Sequence, residues 1–113
     1  MAKVLLAEDD VTMVSLLKTL LKMEGFEVSA LNPDANVPAE VQSQKPDVLF
    51  LDVHFGKQSG VEIIEAIRRT KDLASLRVVM TSGLNMKEEC IRGGANAFLL
   101  KPFSPDDLIQ LLK

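Results

Sequence analysis

The chain has 113 residues, with 47 % apolar and 26 % charged residues and a formal net charge of −3. That length suits one domain, residues 1–113, and the apolar content suits a buried core. A mildly acidic chain lacks the positive surface that would grip nucleic acid or anionic lipid by itself, and its apolar runs are strand-sized, too short to span a membrane. A strand-like stretch begins almost at the first residue, which argues against a signal peptide. The single cysteine, Cys90, can form no internal disulfide, in keeping with a reducing cytoplasm.

Short apolar runs alternate with amphipathic stretches. Lys3–Ala7 reads as a buried strand. From Val11 to Glu24 the apolar residues Val14, Leu17, Leu20 and Leu21 fall at helical spacing, with Asp10 as N-cap and Gly25 as stop. Phe26–Ala30 is a second strand. Pro33 and Pro38 interrupt the next segment, so a loop and then a short helix from about Pro38 are expected. Asp47–Asp52 is a third strand, apolar on both faces as a central parallel strand should be. His54 to Gly60 reads as a loop, and Val61–Arg69 as a helix turning Val61, Ile64 and Ile67 inward. Arg77–Thr81 is a fourth strand, Met86–Gly93 a short helix and Ala97–Leu100 a fifth strand. Ser104, Pro105, Asp106 and Asp107 combine a cap, a first-turn proline and first-turn acids, a strong start for the last helix. Strands alternating with helices give an α/β domain, a doubly wound five-stranded parallel sheet with five helices.

Ligands of such sheets bind at the carboxyl ends of the strands. There the first strand ends in Glu8, Asp9 and Asp10, and the third in Asp52. The fourth ends in Thr81 and Ser82, and the fifth in Lys101 and Pro102. Crowded carboxylates must protonate or hold a cation. Hard oxygen donors without a His/Cys cluster favour Mg2+. Lys101 and Ser82 can each reach a phosphoryl oxygen, and a carboxylate can serve as a phosphoryl nucleophile. Asp52, ending the central strand, is the candidate. Singly each signal has a plain reading: Asp10 as a helix cap, Lys101-Pro102 and Ser82-Gly83 as turns, His54 as a loop residue. Their joint placement is what points to phosphoryl-transfer chemistry.

Four stretches, Leu5–Asp10, Pro46–Asp52, Met80–Gly83 and Gly94–Phe103, together resemble the receiver domain of bacterial two-component response regulators, across essentially the whole chain. The resemblance implies a flavodoxin-like receiver fold with strand order 2-1-3-4-5. It also implies the residue roles. Asp52 is the phosphoacceptor, and Asp52, Glu8, Asp9 and the backbone carbonyl of His54 bind Mg2+, with Asp9 the direct ligand of the acid pair. Ser82 and Lys101 contact the phosphoryl group, and Ser82 and Phe98 are the switch residues. His54 and Leu84 occupy the positions that tune phosphoryl lifetime. Lys101-Pro102 is the family's cis peptide bond. The implied partners are a sensor histidine kinase or phosphotransfer protein, a downstream output domain or protein target, and a homodimer through the output face. A receiver promotes its own phosphorylation and dephosphorylation rather than acting as a conventional enzyme.

Three features depart from the family pattern. Phe55-Gly56 stands where Met-Pro is usual, which should loosen the loop after Asp52. The stretch from Ser82 to Lys101 is shorter by roughly one helical turn, which should stunt the fourth helix. Proline breaks the second helix. These departures motivate an alternative, a receiver-like interaction module that no longer signals by phosphorylation. A flavin protein or phosphatase on the same fold is disfavoured: no glycine-rich loop follows the first strand, and the chain has no Trp or Tyr. Cys90 and Met13, Met23, Met80 and Met86 read as packing residues, and Glu88-Glu89 as a solvated face.

Overall fold

The computed structural model describes residues 2–113. Strand β1 (Lys3–Ala7) leads into α1 (Val11–Met23), β2 (Glu27–Ala30), α2 (Val37–Gln44) and β3 (Val48–Asp52). A small hairpin, β4 (His54–Phe55) and β5 (Gln58–Ser59), precedes α3 (Gly60–Arg69). A 3-10 turn at Lys71–Leu73 leads to β6 (Arg77–Ser82), α4 (Lys87–Gly93), β7 (Ala97–Leu100) and α5 (Pro105–Leu112). The main sheet is parallel throughout, in the order β2-β1-β3-β6-β7. Counting only its own strands, that is the 2-1-3-4-5 order.

The period-two alternation of the central strands sorts their side chains into two cores. Leu5, Ala7, Leu49, Leu51, Val78 and Met80 pack beneath α2, α3 and α4 with Val41, Ile64, Ile67 and Cys90. Val4, Leu6, Val48, Phe50 and Val79 pack beneath α1 and α5 with Leu17, Leu21, Leu108 and Leu112. Phe103 meets Phe50 edge-on, ring centroids 5.8 Å apart, and so seats the start of α5.

Helix boundaries follow local chemistry. Asp10 caps α1 by accepting from the Met13 N–H, Asn36 caps α2 through the Ala39 N–H, and Ser59 caps α3 through the Glu62 N–H. Ser104 and Asp107 form a reciprocal capping box on α5. Pro38 sits in the first turn of α2, where its missing N–H costs nothing. Helix α4 has only seven residues.

Some expectations change. Residues 54–60 do not form a plain loop: the β4–β5 hairpin pairs His54 with Ser59 and Phe55 with Gln58. Two-residue strands are too short for any periodicity to reveal. On α3, half-buried Val61 packs with buried Ile64 and Ile67 as expected, and Ile63 joins them, so the inward face is wider than the three residues foreseen. Met23, the last residue of α1, is 78 % exposed and fills no gap.

Candidate acidic site at the strand ends

The carboxyl ends of β1, β3, β6 and β7 meet at one edge of the sheet. Parallel pairing sets Ala7 beside Leu51, Asp52 beside Thr81 and Ser82 beside Leu100. The residues just beyond these pairs therefore converge. Glu8 and Asp52 are buried, at 2 % and 5 % exposure, whereas Asp9 is exposed. One carboxylate oxygen from each of Glu8, Asp9 and Asp52 lies within 4.8 Å of the others. Asp10 stands outside this group, engaged as the α1 cap.

Lys101 reaches in from the end of β7. Its Nζ lies 2.7 Å from Asp52 Oδ2 and 2.7 Å from Glu8 Oε1. Asp52 Oδ1 accepts from the His54 N–H at 2.9 Å, Glu8 Oε2 from the Asp10 N–H at 3.1 Å, and Asp9 Oδ2 from the Gly56 N–H at 2.9 Å. Burial lifts the Glu8 pKa above its ordinary value, outweighing the opposing pull of Lys101 and the Asp10 amide; the charge on Asp52 adds to the rise. Burial works the other way on Lys101, but bonding and attraction to Asp52 and Glu8 prevail and raise its pKa. Lys101 is therefore a firm cation at neutral pH, holding two of three crowded acids.

Ser82 is buried, and its Oγ accepts from the Leu84 N–H at 3.1 Å, which leaves the hydroxyl proton free to donate. Leu84 itself is 67 % exposed. Thr81 points away, bonding its hydroxyl to the Leu99 carbonyl at 2.7 Å and tying β6 to β7. Phe98, on β7, is half-buried against the core that α3 and α4 cover. The His54 ring is exposed beside the site. The Lys101-Pro102 peptide is cis.

The donor set fits a hard divalent cation. Its ligand atoms are carboxylate oxygens, and Glu8 Oε1 is buried with no hydrogen bond of good geometry beyond its ion pair with Lys101.

Three supporting residues, Gly60, Gly56 and Gln58, carry no reactive group. Gly60 opens α3 against β3: a Cβ there would lie 2.4 Å from the Asp52 carbonyl oxygen, so only glycine lets the helix approach. A glycine immediately before the predicted helix was the one available signal. Gly56 and Gln58 belong to the hairpin that borders the acids.

The family model for the response regulator receiver domain matches residues 4–113. The chain belongs to that family. It is 33 % identical over 116 residues to the transcriptional regulatory protein CpxR of Escherichia coli (strain K12), an alignment that takes in 100 % of this chain and 48 % of CpxR. The chain spans about half the length of the curated relatives it matches. Among solved structures, the chemotaxis response regulator CheY4 of Vibrio cholerae superposes with a TM-score of 0.89 at 28 % identity, over 99 % of this chain and 96 % of CheY4. The receiver domain of the sensor histidine kinase PA1611 from Pseudomonas aeruginosa PAO1 shares the fold at a TM-score of 0.86 and 21 % identity, over 98 % of this chain and 93 % of that one. That domain was solved with a magnesium ion coordinated in its active-site cleft.

Proposed function

We propose that residues 1–113 form one receiver that accepts a phosphoryl group on Asp52 from the phosphohistidine of a sensor kinase or phosphotransfer protein. The observation that carries this reading is the setting of Asp52. It is a buried acid at the end of the central strand, 2.7 Å from Lys101 and within 4.8 Å of the Glu8 and Asp9 oxygens.

A carboxylate oxygen of Asp52 attacks phosphorus, the phosphorus–nitrogen bond to the donor imidazole breaks, and the imidazole leaves with its electron pair and takes up a proton. The product is an acyl phosphate. Glu8, Asp9, Asp52 and the His54 carbonyl would hold Mg2+, which offsets the charge of the transferring group when bound. Lys101, released from part of its pairing with Asp52, turns to a phosphoryl oxygen, and the Ser82 hydroxyl donates to another. Water later attacks the same phosphorus, returns Asp52 to a carboxylate and frees phosphate. His54 and Leu84 border that water's approach and set the lifetime.

The switch runs from Ser82 to the output face. As the Ser82 hydroxyl moves toward the phosphoryl group, its bond to the Leu84 N–H is lost. The loop before α4 then shifts, and Phe98 changes its packing. Ile91 and Leu100, 42 % and 47 % exposed, are apolar residues on that face for an output domain, a protein target or a second receiver. Direct contact with nucleic acid is not a role of this domain. Among the described residues no helix is long and apolar enough to cross a membrane. Exchange with a kinase places the domain in the cytoplasm.

Beryllofluoride with Mg2+, a non-transferable mimic of the acyl phosphate, tests the switch. The Ser82 and Phe98 resonances should shift together on its addition. Unmoved resonances in protein that binds Mg2+ would reject the switch.

A further inference from the structure

We infer that Gln58 is a positioning residue for the acidic site, fixing the place of Asp9 through the backbone of Gly56. The inference rests on reading Glu8, Asp9 and Asp52 as the cation site, and it concerns a part of this chain that departs from the family pattern.

Asp9 is exposed, and its only hydrogen-bond partner among the described residues is the Gly56 N–H, at 2.9 Å. The aim of its carboxylate therefore depends on where one amide lies. Proline, usual at that position, could offer no such donor. Gly56 has φ +60°, in the left-handed region that glycine enters without strain. A Cβ on Gly56 would lie 3.0 Å from both the Cβ and the carbonyl oxygen of Pro33, so the turn is seated closely on the segment between β2 and α2.

Gln58 fastens that seat. Its half-buried Nε2 donates to the Pro33 and Ala35 carbonyls, each at 2.9 Å, which uses both amide protons. Phe55, fully buried, anchors the other strand of the hairpin. The chain of support runs from the Pro33 and Ala35 carbonyls to Gln58, across the hairpin to the Gly56 amide, and on to Asp9. The expected loosening by glycine is met by a turn that is hydrogen-bonded on both sides.

A purely structural staple would lower stability on removal and leave cation affinity alone. A positioning role moves both. The test is Mg2+ titration of the whole chain followed by 1H–15N NMR, for the parent, Gln58→Ala and Gln58→Glu. In the parent, the Gly56 amide should shift with the same Mg2+ dissociation constant as the amides around Asp52, while that of remote Gly25 stays still. Both variants should bind Mg2+ about tenfold more weakly, the cost typical of losing an outer support of a ligand. Their Gly56 amide should also exchange faster with solvent. Mg2+ affinity within about twofold of the parent in folded variants would overturn the inference and leave the cation site standing. A Gly56 amide unmoved by Mg2+ in the parent would overturn it without any variant. A parent that binds no Mg2+ at all would reject the cation site, and this inference with it.

Discussion

The turn at Gly56–Lys57 and the connection from α4 to β7 are both irregular, but they are held by opposite means. The first borders three carboxylates and is secured by uncharged donors, the Gly56 N–H and the Gln58 amide. The second lies away from the acids and is secured by a full charge. The Arg68 guanidinium donates to the carbonyls of Gly94 at 2.8 Å, Leu76 at 2.6 Å and Ala74 at 3.2 Å, and to Asn96 Oδ1 at 3.0 Å. Asn96 Oδ1 also accepts from the Val78 N–H. Gly94, with φ +117°, must be glycine, since a Cβ would lie 2.6 Å from Arg68 Cγ. No carboxylate pairs with Arg68 among the described residues, and burial lowers its pKa. The contrast teaches where charge can be spent. Beside the acids the turn itself is held by neutral amides, and the cation that pairs with Glu8 and Asp52 is Lys101, from the end of β7. Beside the short α4 a guanidinium ties the Gly94 carbonyl and Asn96 to the carbonyls of Ala74 and Leu76 that precede β6.

Perturbations should separate the two regions. The largest effect is expected for Lys101→Met, which leaves Glu8 and Asp52 buried without their cation and should cost about 3 kcal/mol at neutral pH. The loss should shrink under acid, because Glu8, whose pKa burial already raises, protonates more readily once Lys101 no longer opposes that rise. Urea unfolding at about pH 7 and about pH 4.5 measures this, and Mg2+ should restore part of the neutral-pH loss. Arg68→Met should cost about 2 kcal/mol by stranding several carbonyls. Hydrogen exchange should show it as faster exchange at Ala95 and Asn96, with the amides of Val53 and His54 unchanged. The reverse pattern is expected for Lys101→Met, and the two losses should add. Coupling well beyond additivity would show the regions to be one unit.

Smaller effects follow. Gln58→Ala should cost about 1 kcal/mol in denaturant unfolding, confined to the hairpin side. The buried Cys90 thiol is pushed up to about 11 by burial, with the Glu89 charge adding to it. A thiol that keeps its proton better in the folded state supports folding below the unfolded pKa, and this support is lost as pH rises through the folded one. Stability should therefore fall between about pH 9 and pH 11 more steeply in the parent than in Cys90→Val. Thiol labelling at neutral pH should be slow until the protein unfolds.

The main sheet was legible because most of its strands, β2 apart, are short apolar runs bounded by polar residues, and because the caps at Asp10 and Ser104 are strong local signals. The acidic edge was legible because Glu8, Asp9, Asp52, Ser82 and Lys101 all fall at ends of sheet strands, where parallel register must gather them. What was hidden lies in contacts between distant segments. Nothing local to Gln58 points to the Pro33 carbonyl, nor anything local to Arg68 to Gly94. Gly60 matters for the space it leaves beside Asp52, which no periodicity encodes. Glycine adds freedom in isolation, so Gly56 reads in sequence as a loosening residue; seated against Pro33 and bonded to Asp9, it is tied down.

The central claim concerns Asp52, and intact-mass analysis after incubation with a small phosphodonor tests it most directly. With Mg2+ present, the chain should gain one acid-stable, base-labile phosphoryl group, and chelating the metal should suppress the gain. Asp52→Asn should gain none. No adduct on the parent would contradict the assignment and favour a receiver fold kept for interaction alone, and an equal adduct on Asp52→Asn would contradict it by putting the acceptor at another residue.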